Sequence, residues 1–371
     1  MRYRVLGRTG LKVSVIGFGG IKLPEISQKE ADEILNRALD LGINFIDTAR
    51  AYKDSETKIG KAISKRRDEF ILSSRSLSRD RDGILKDLET SMRELQTDYI
   101  DIYELHAVND METLEKVLAP GGALEGLKIA KQKGLIGHIG ITMHFDLNAM
   151  KKAIDSNEFE VIMLAYSPLD HEGVNREGIL ELAKKHGMGI IIMKALLGGQ
   201  LVLPETAAGL RKEDPLVRLS LKYVISNPNV DTVIPGMKKL HEIEENARVG
   251  DEPLPITEEE KKQLYELISK VARPAERGWL AQACLQCGYC RRVCPQNIPI
   301  PEVFKAYRIY MNYPQNLKHL GLEIYKSLEV KPDACIECKS CVQVCPIKID
   351  IPAKLKEAQK VLEEAITSRK Q

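Results

Sequence analysis

The 371-residue sequence predicts an α/β fold, a (β/α)8 TIM barrel, followed by an all-α domain. Three observations carry this. Short apolar runs alternate with charged amphipathic segments across the first 250 residues. The runs are almost continuously apolar, as parallel strands buried on both faces are. All eight cysteines then fall beyond residue 283, where the apolar spacing is helical.

Taken in order, Arg2–Val5 and Lys12–Val15 flank Gly7–Gly10 and read as a hairpin that plugs the lower end of the barrel. Strands are expected at Val13–Phe18, Asn44–Thr48, Phe70–Ser74, Tyr99–Leu105, His138–Thr142, Val161–Tyr166, Gly189–Met193 and Thr232–Pro235. Helices lie between them: Ala31, Ile34, Leu35, Ala38 and Leu41 share one face, and Leu85, Leu88, Met92 and Leu95 another. An open doubly wound sheet would announce itself with a G-x-G-x-x-G turn. The glycines of Gly17-Phe18-Gly19-Gly20 lack that spacing. After Thr257, the acidic run Glu258–Glu260 opens a helix with Leu264, Leu267 and Val271 on its apolar face, and Pro274 and Gly278 end it. The barrel with this connecting helix is expected over 1–272 and the second domain over 273–371, with the boundary near Arg273.

The cysteines form two blocks, Cys284, Cys287, Cys290, Cys294 and Cys335, Cys338, Cys341, Cys345, each followed by proline. Each block reads C-x2-C-x2-C-x3-C-P, the thiolate spacing of 4Fe-4S clusters. Disulfide frameworks belong to short secreted chains, and structural zinc takes paired C-x2-C hooks further apart. In this spacing the fourth cysteine serves the other cluster. Two 4Fe-4S clusters are therefore expected, one on Cys284, Cys287, Cys290 and Cys345, the other on Cys335, Cys338, Cys341 and Cys294. The blocks are an internal duplication that continues to Pro301 and Pro352, each suited to the first turn of a following helix. Helical spacing recurs in Val303, Phe304, Tyr307, Tyr310 and Met311, in Leu317, Leu320, Ile324 and Leu328, and in Leu355, Ala358, Leu362 and Ile366. With that helical segment between its blocks, the region resembles α-helical ferredoxin domains found in iron–sulfur subunits of larger oxidoreductases.

Composition narrows the function. The chain is 43% hydrophobic and 29% charged, as a globular protein is, and its formal net charge of +2 gives nucleic acid no electrostatic hold. No apolar run is long enough to span a membrane. Eight reduced thiolates without a charged-then-apolar leader point to the cytoplasm.

In a barrel, chemistry gathers where strands end. The second strand ends in Asp47 with Tyr52 in the loop beyond, the third in Ser74-Arg75, and the fourth in His106. Singly, Asp47 could cap backbone donors, Arg75 could be a surface charge, and Tyr52 and His106 could be ordinary packed residues. Together at consecutive strand ends they read as a site.

Here the chain resembles the aldo-keto reductases. The resemblance rests on Arg4-Val-Leu-Gly7-Arg-Thr-Gly10, Asn44-Phe-Ile-Asp47-Thr-Ala with Tyr52, Ser55-Glu56 and Ile59-Gly60, Tyr99-Ile-Asp-Ile-Tyr-Glu-Leu105-His106, and Val233-Ile-Pro-Gly236 with Glu245-Asn246. It covers roughly residues 1–250. It implies a (β/α)8 barrel that transfers hydride between NAD(P)H and a small carbonyl or alcohol. The implied catalytic set is Asp47, Tyr52, Arg75 and His106. Tyrosine is a weak acid, with a pKa of about 10, that a neighbouring cation makes a better proton donor. The aspartate holds the cation, and the histidine polarises the carbonyl or relays the proton. The family has lysine where this chain has Arg75, and a planar guanidinium directs its donors differently.

The implied cofactor-binding residues are Gly19, Thr142, Met163, Tyr166, Lys194, Gly236, Lys238, Lys239 and Asn246. Several depart from the family pattern. Met163 stands where a glutamine often meets the nicotinamide amide, Thr142 where a serine and His144 where an asparagine help hold it. Gly236 and Glu242 replace the lysine and arginine that clamp a 2′-phosphate; Lys238 and Lys239 offer charge nearby, or simply form a solvated helix face. Asn246 is kept for adenine, and Lys194 is a further rim cation.

Hydride carries two electrons and each cluster takes one, a mismatch that a flavin usually resolves. No flavin motif is present. Three readings stand: a reductase whose clusters exchange electrons with a redox partner protein, a reductase with structural or sensing clusters, and an electron-transfer module whose barrel is a docking scaffold. The catalytic set favours an enzyme. The altered nicotinamide clamps favour the first or third reading over the second.

Overall fold

The structure, a computed structural model, describes residues 1–144, 146–168, 174–175, 178–199, 201, 215–271, 284, 289–312, 318–345 and 349–368. It divides into two compact units, Met1–Ala195 with Arg218–Thr257, and Leu196–Val217 with Glu258–Gln371.

The first unit opens with an antiparallel hairpin of β1 (Tyr3–Val5) and β2 (Lys12–Ser14). Eight parallel strands follow: β3 (Phe18–Gly19), β4 (Phe45–Asp47), β5 (Ile71–Ser76), β6 (Ile100–Leu105), β7 (Ile136–Met143), β8 (Val161–Ala165), β9 (Gly189–Met193) and β10 (Thr232–Val233). Each pairs with the next in chain order, and parallel bridges Ile16–Val233 and Gly19–Gly236 join the last to the first. The sheet is therefore closed. A Cβ on Gly19 would lie 2.8 Å from the Ile234 carbonyl oxygen, so this seam requires glycine.

The first strand differs from its expectation. Val13 belongs to the hairpin, and the barrel strand begins only at Phe18. Apart from Ser14, the residues from Val13 to Phe18 are apolar or glycine across both elements, so hydropathy alone does not mark where one ends.

The hairpin closes one end of the barrel by close approach. Gly7 has φ +49°, and a Cβ there would overlap the Gly189 backbone nitrogen. Leu6 and Val13 reach the interior, where they join Phe45, Ile102, Val161, Met163, Ile191 and Ile234 in one buried cluster.

The connecting helices are α1 (Gln28–Asp40), α2 (Ser55–Ile63), α3 (Arg81–Leu95), α4 (Met111–Leu118), α5 (Ala123–Gln132), α6 (Leu147–Asp155), α7 (Ile179–Lys185), α8 (Leu216–Ile225) and α9 (Leu240–Val249). Polar residues start several of them. Ser27 and Glu30 form a capping box on α1, and Asp80, Asp110 and Asp146 cap α3, α4 and α6.

The second unit contains α10 (Glu258–Val271), α11 (Tyr289–Arg292), α12 (Ile300–Asn312), α13 (Lys318–Lys326), α14 (Ser340–Gln343) and α15 (Ile351–Ser368). The duplication is visible in space: α11 and α14 carry Cys290 and Cys341, while Pro301 and Pro352 each sit second in the long helix that follows. Ala306, Leu322, Tyr325, Leu362 and Ala365 pack α12, α13 and α15 together. The expected boundary at Arg273, the helix end at Pro274 and Gly278, Cys287 and Leu317 lie outside the described residues. Among the described residues, no helix is long and apolar enough to cross a membrane.

Candidate active site and cluster-binding domain

Asp47 is the last residue of β4, and Arg75 is the fifth of the six in β5. Both are buried, and they meet as a bidentate pair: Arg75 Nη1 donates to Asp47 Oδ1 at 2.5 Å, and Nη2 to Oδ2 at 2.9 Å. Arg75 Nη2 also donates to the Tyr52 hydroxyl at 2.9 Å. The loop that presents Tyr52 is pinned by Ser55, whose hydroxyl is 2.8 Å from that of Thr48 and donates to the Gly20 carbonyl at 2.9 Å.

His106 follows β6 and is buried. Its ring meets that of Tyr52 edge-on, with centroids 6.0 Å apart and planes at 88°. Ala107 turns the chain away in the left-handed region, at φ +54°, and Thr142 Oγ1 accepts from its N–H at 2.7 Å. The structure thus brings Asp47, Tyr52, Arg75 and His106 together at one end of the strands.

A fifth residue belongs to this group. Glu104 is fully buried two residues before His106, and its Oε2 accepts from Arg75 Nη1 at 3.2 Å. Its other oxygen, Oε1, has no hydrogen-bond partner among the described residues. Burial pushes Glu104 up to about 7, against the pull of Arg75 and with the push of Asp47. Burial raises Asp47 too, against the same arginine. It also opposes the charge of Arg75, but Asp47, Tyr52 and Glu104 outweigh it and hold the guanidinium charged. Asp47 engages both of its oxygens with Arg75 and Glu104 only one, so a proton entering the group is best placed on Glu104.

The sequence carried a signal for Glu104. Ile102 points into the barrel core, and Glu104 has the same parity on the strand. A glutamate two residues beyond an inward isoleucine must also face inward.

The other rim residues are more dispersed in role. His144 is buried and takes hydrogen bonds with Asn109 Oδ1 from both its backbone N–H and Nδ1. Burial, then Lys194, His106 and Arg75, drive it well below the usual imidazole range, so it is neutral. Lys194 follows β9 in the left-handed region, at φ +61°. Met163 lies in the apolar interior, and Tyr166 is buried against Tyr223, 6.3 Å between centroids. Gly236 completes the seam with Gly19. Asn246 is buried on α9. At the start of that helix, Glu242 Oε2 accepts from the backbone N–H groups of Lys238 and Lys239, at 2.7 and 3.1 Å. Lys238 Nζ is engaged by Glu25 at 2.7 Å.

In the second unit, Cys294, Cys335, Cys338 and Cys341 line one cavity, floored by Ile298, Ile300, Pro352 and Leu355. Cys294 comes from the first block and the rest from the second. Burial, then the neighbouring Cys335, Cys294 and Cys338, push Cys341 up to about 11. The remaining described cysteines, Cys284, Cys290 and Cys345, pack in the same apolar core. Among the described residues, no three His, Cys, Asp or Glu side chains draw together as around a single metal ion. Four thiols around one cavity fit the donor set that a 4Fe-4S cluster takes.

A profile of the aldo/keto reductase family matches residues 15–268, well over half the chain. The chain belongs to the aldo/keto reductase family. It is an oxidoreductase with a C-terminal 4Fe-4S domain, because a 4Fe-4S dicluster profile matches residues 273–349. The aldo/keto reductase AKR11C1 of Bacillus halodurans, in its holo form, has a TM-score of 0.61 and 29% identity, over 72% of this chain and 96% of its own. The uncharacterized oxidoreductase YqkF of Bacillus subtilis is 28% identical, over 71% of this chain and 95% of its own. The L-galactose dehydrogenase of Arabidopsis thaliana is 29% identical, over 66% of this chain and 86% of its own.

Proposed function

We propose that the barrel catalyses nicotinamide-linked reduction of a small carbonyl compound to an alcohol, or the reverse, with Tyr52 as the acid. The observation that carries this is the hydrogen bond from Arg75 to the Tyr52 oxygen at 2.9 Å. Because that oxygen accepts from a permanent cation, the phenolate that forms when Tyr52 gives its proton to a substrate oxygen is stabilised. Asp47 fixes the cation, and His106 edge-on to the phenol completes a polar pocket around the reacting oxygen.

NAD(P)H would supply the hydride. The Thr142 hydroxyl accepts from Ala107 and keeps its own hydrogen to donate to the carboxamide, while Gly19 and Gly236 add no side chain of their own where the seam is already crowded by the Ile234–Pro235 backbone and the side chains of Ile21 and Lys22. Asn246, Lys238, Lys239 and Lys194 remain the candidates for the adenine and phosphate end.

We infer that the second domain binds two 4Fe-4S clusters, one on Cys294, Cys335, Cys338 and Cys341, the other on Cys284, Cys287, Cys290 and Cys345. The clusters supply single-electron transfer to or from a partner protein. Cys338 is exposed and its neighbour Ile336 is 61% exposed, so one cluster edge would be open to a partner.

The test is oxidation of NADH and NADPH by protein purified without oxygen, against a panel of small aldehydes and ketones. Turnover that disappears in Tyr52→Phe supports the reading; turnover that Tyr52→Phe leaves unchanged overturns it.

A further inference from the structure

We propose that Glu104 is a positioning residue of this site, acting through Arg75, and that it is the reason this position carries arginine. The inference rests on the reading of Tyr52 as the acid and adds a residue to it.

The strands set the arrangement. Arg75 and Glu104 are direct partners across β5 and β6, and Glu104 and Gly140 are direct partners across β6 and β7. Side chains at paired positions stand on the same face. Arg75 therefore meets Glu104 from one side, and on the other side Gly140 leaves the space that the glutamate fills. A Cβ on Gly140 would lie 2.7 Å from Glu104 Cγ and 3.1 Å from Oε1. The barrel wall is shaped for this carboxylate.

The hydrogen bonds then account for the cation. The two terminal nitrogens of Arg75 carry four hydrogens. Nη1 gives to Asp47 and Glu104, and Nη2 gives to Asp47 and Tyr52. All four are used, on four oxygens of three residues. A lysine ammonium has three hydrogens on one atom, so it cannot serve Asp47 twice, Glu104 and Tyr52 together. With two buried carboxylates on one guanidinium, the orientation of Nη2 toward the phenol depends on both.

Glu104→Gln keeps the shape and removes the charge. The tests compare Glu104→Gln, Arg75→Lys and the double variant in the holoprotein, with folding followed by circular dichroism. One readout is the pH at which Tyr52 ionises, taken as the ultraviolet difference between each protein and its Tyr52→Phe counterpart. Removing a negative charge beside Arg75 favours the phenolate, so Glu104→Gln should lower that pH by about one unit. A second readout is kcat/KM. Arg75→Lys should lower it about 100-fold, and adding Glu104→Gln should return at least about tenfold of that loss. Should Glu104→Gln not fold, Gly140→Ala pushes the same carboxylate off Arg75 and should shift Tyr52 in the same direction. An unmoved Tyr52 titration, or strictly additive losses, overturns the assignment. A parent protein without carbonyl reductase activity overturns the proposed reaction instead, and the spectroscopic titration still decides the role of Glu104.

Discussion

Arg75 binds Asp47 and Tyr52 through the same nitrogen, Nη2, at 2.9 Å to each. The aspartate therefore fixes the direction from which positive charge reaches the phenol. Burial of Asp47 and Arg75 strengthens the effect, since charges act further in a low-dielectric interior. Tyr52→Phe removes the proposed proton donor and leaves the Asp47–Arg75 pair intact. Its kcat for carbonyl reduction should fall at least about 1,000-fold. Nicotinamide affinity, read by fluorescence titration, should stay within a few-fold of the parent.

Glu104 makes the stability of the barrel fall as pH rises through mildly acidic values. Its carboxyl is raised to about 7 in the fold. In the unfolded chain it ionises near 4.5. Between these values the unfolded chain gives up the proton and the folded one keeps it. Folding stability thus drops across that window, by about 3 kcal/mol from this group alone, and is level above it. Asp47, also raised, acts with the same sign. Glu160 acts oppositely and elsewhere. Although burial opposes it, hydrogen bonds from His138 and Lys131 hold it down to about 2, so its contribution is lost only below the ordinary glutamate range. Denaturation midpoints of the parent and Glu104→Gln should diverge between pH 5 and pH 8, with the glutamine protein gaining as pH rises. A difference that does not change with pH would mean that Glu104 is ionised throughout.

The barrel was legible because parallel strands covered on both faces must be apolar along their whole length. Gly189–Met193 stands as expected, and Tyr99–Leu105 differs from Ile100–Leu105 by one residue. The same rule misled at Val13–Phe18, where a hairpin strand and a barrel strand follow each other with only the single polar residue Ser14 between their apolar residues. The candidate site was legible by position, since Asp47, Arg75 and His106 lie within one residue of the ends of consecutive strands. Glu104 was not, because in a run such as Ile100–His106 a charge is easily read as outward. Only its parity with Ile102 reveals it. Partners distant in sequence were invisible as well: nothing in Lys238 announces that Glu25 will hold it.

Glu242 bears on the choice between the two nicotinamide cofactors. A helix N-terminus favours anions through its free N–H groups. At α9 the Lys238 and Lys239 amides already donate to the Glu242 carboxylate, and the Lys238 ammonium is tied to Glu25. A 2′-phosphate arriving there would have to displace an anion of the chain's own. Glu242→Gln should raise the affinity for NADPH relative to NADH by about tenfold. The ratio of the two dissociation constants, measured by fluorescence titration, checks this. An unchanged ratio would place the 2′-position away from the start of α9.

Cluster ligation can be read from pairs of substitutions. Cys294 belongs to the first block by sequence, yet it lines a cavity with Cys335, Cys338 and Cys341. If the clusters are held across the blocks, Cys294 and Cys335 serve the same one. Cys294→Ala with Cys335→Ala should then keep one intact cluster, about four irons per chain. Cys294→Ala with Cys284→Ala should strike both clusters and leave far less iron. Ligation within each block predicts the reverse, because Cys294 and Cys284 would then share a cluster. Iron and sulfide content after purification without oxygen separates the two patterns, with electron paramagnetic resonance of the reduced protein identifying the cluster that remains. Both double variants lose two thiols from the same core, so a general loss of folding would affect them alike. A difference in iron content therefore reports which cysteines share a cluster.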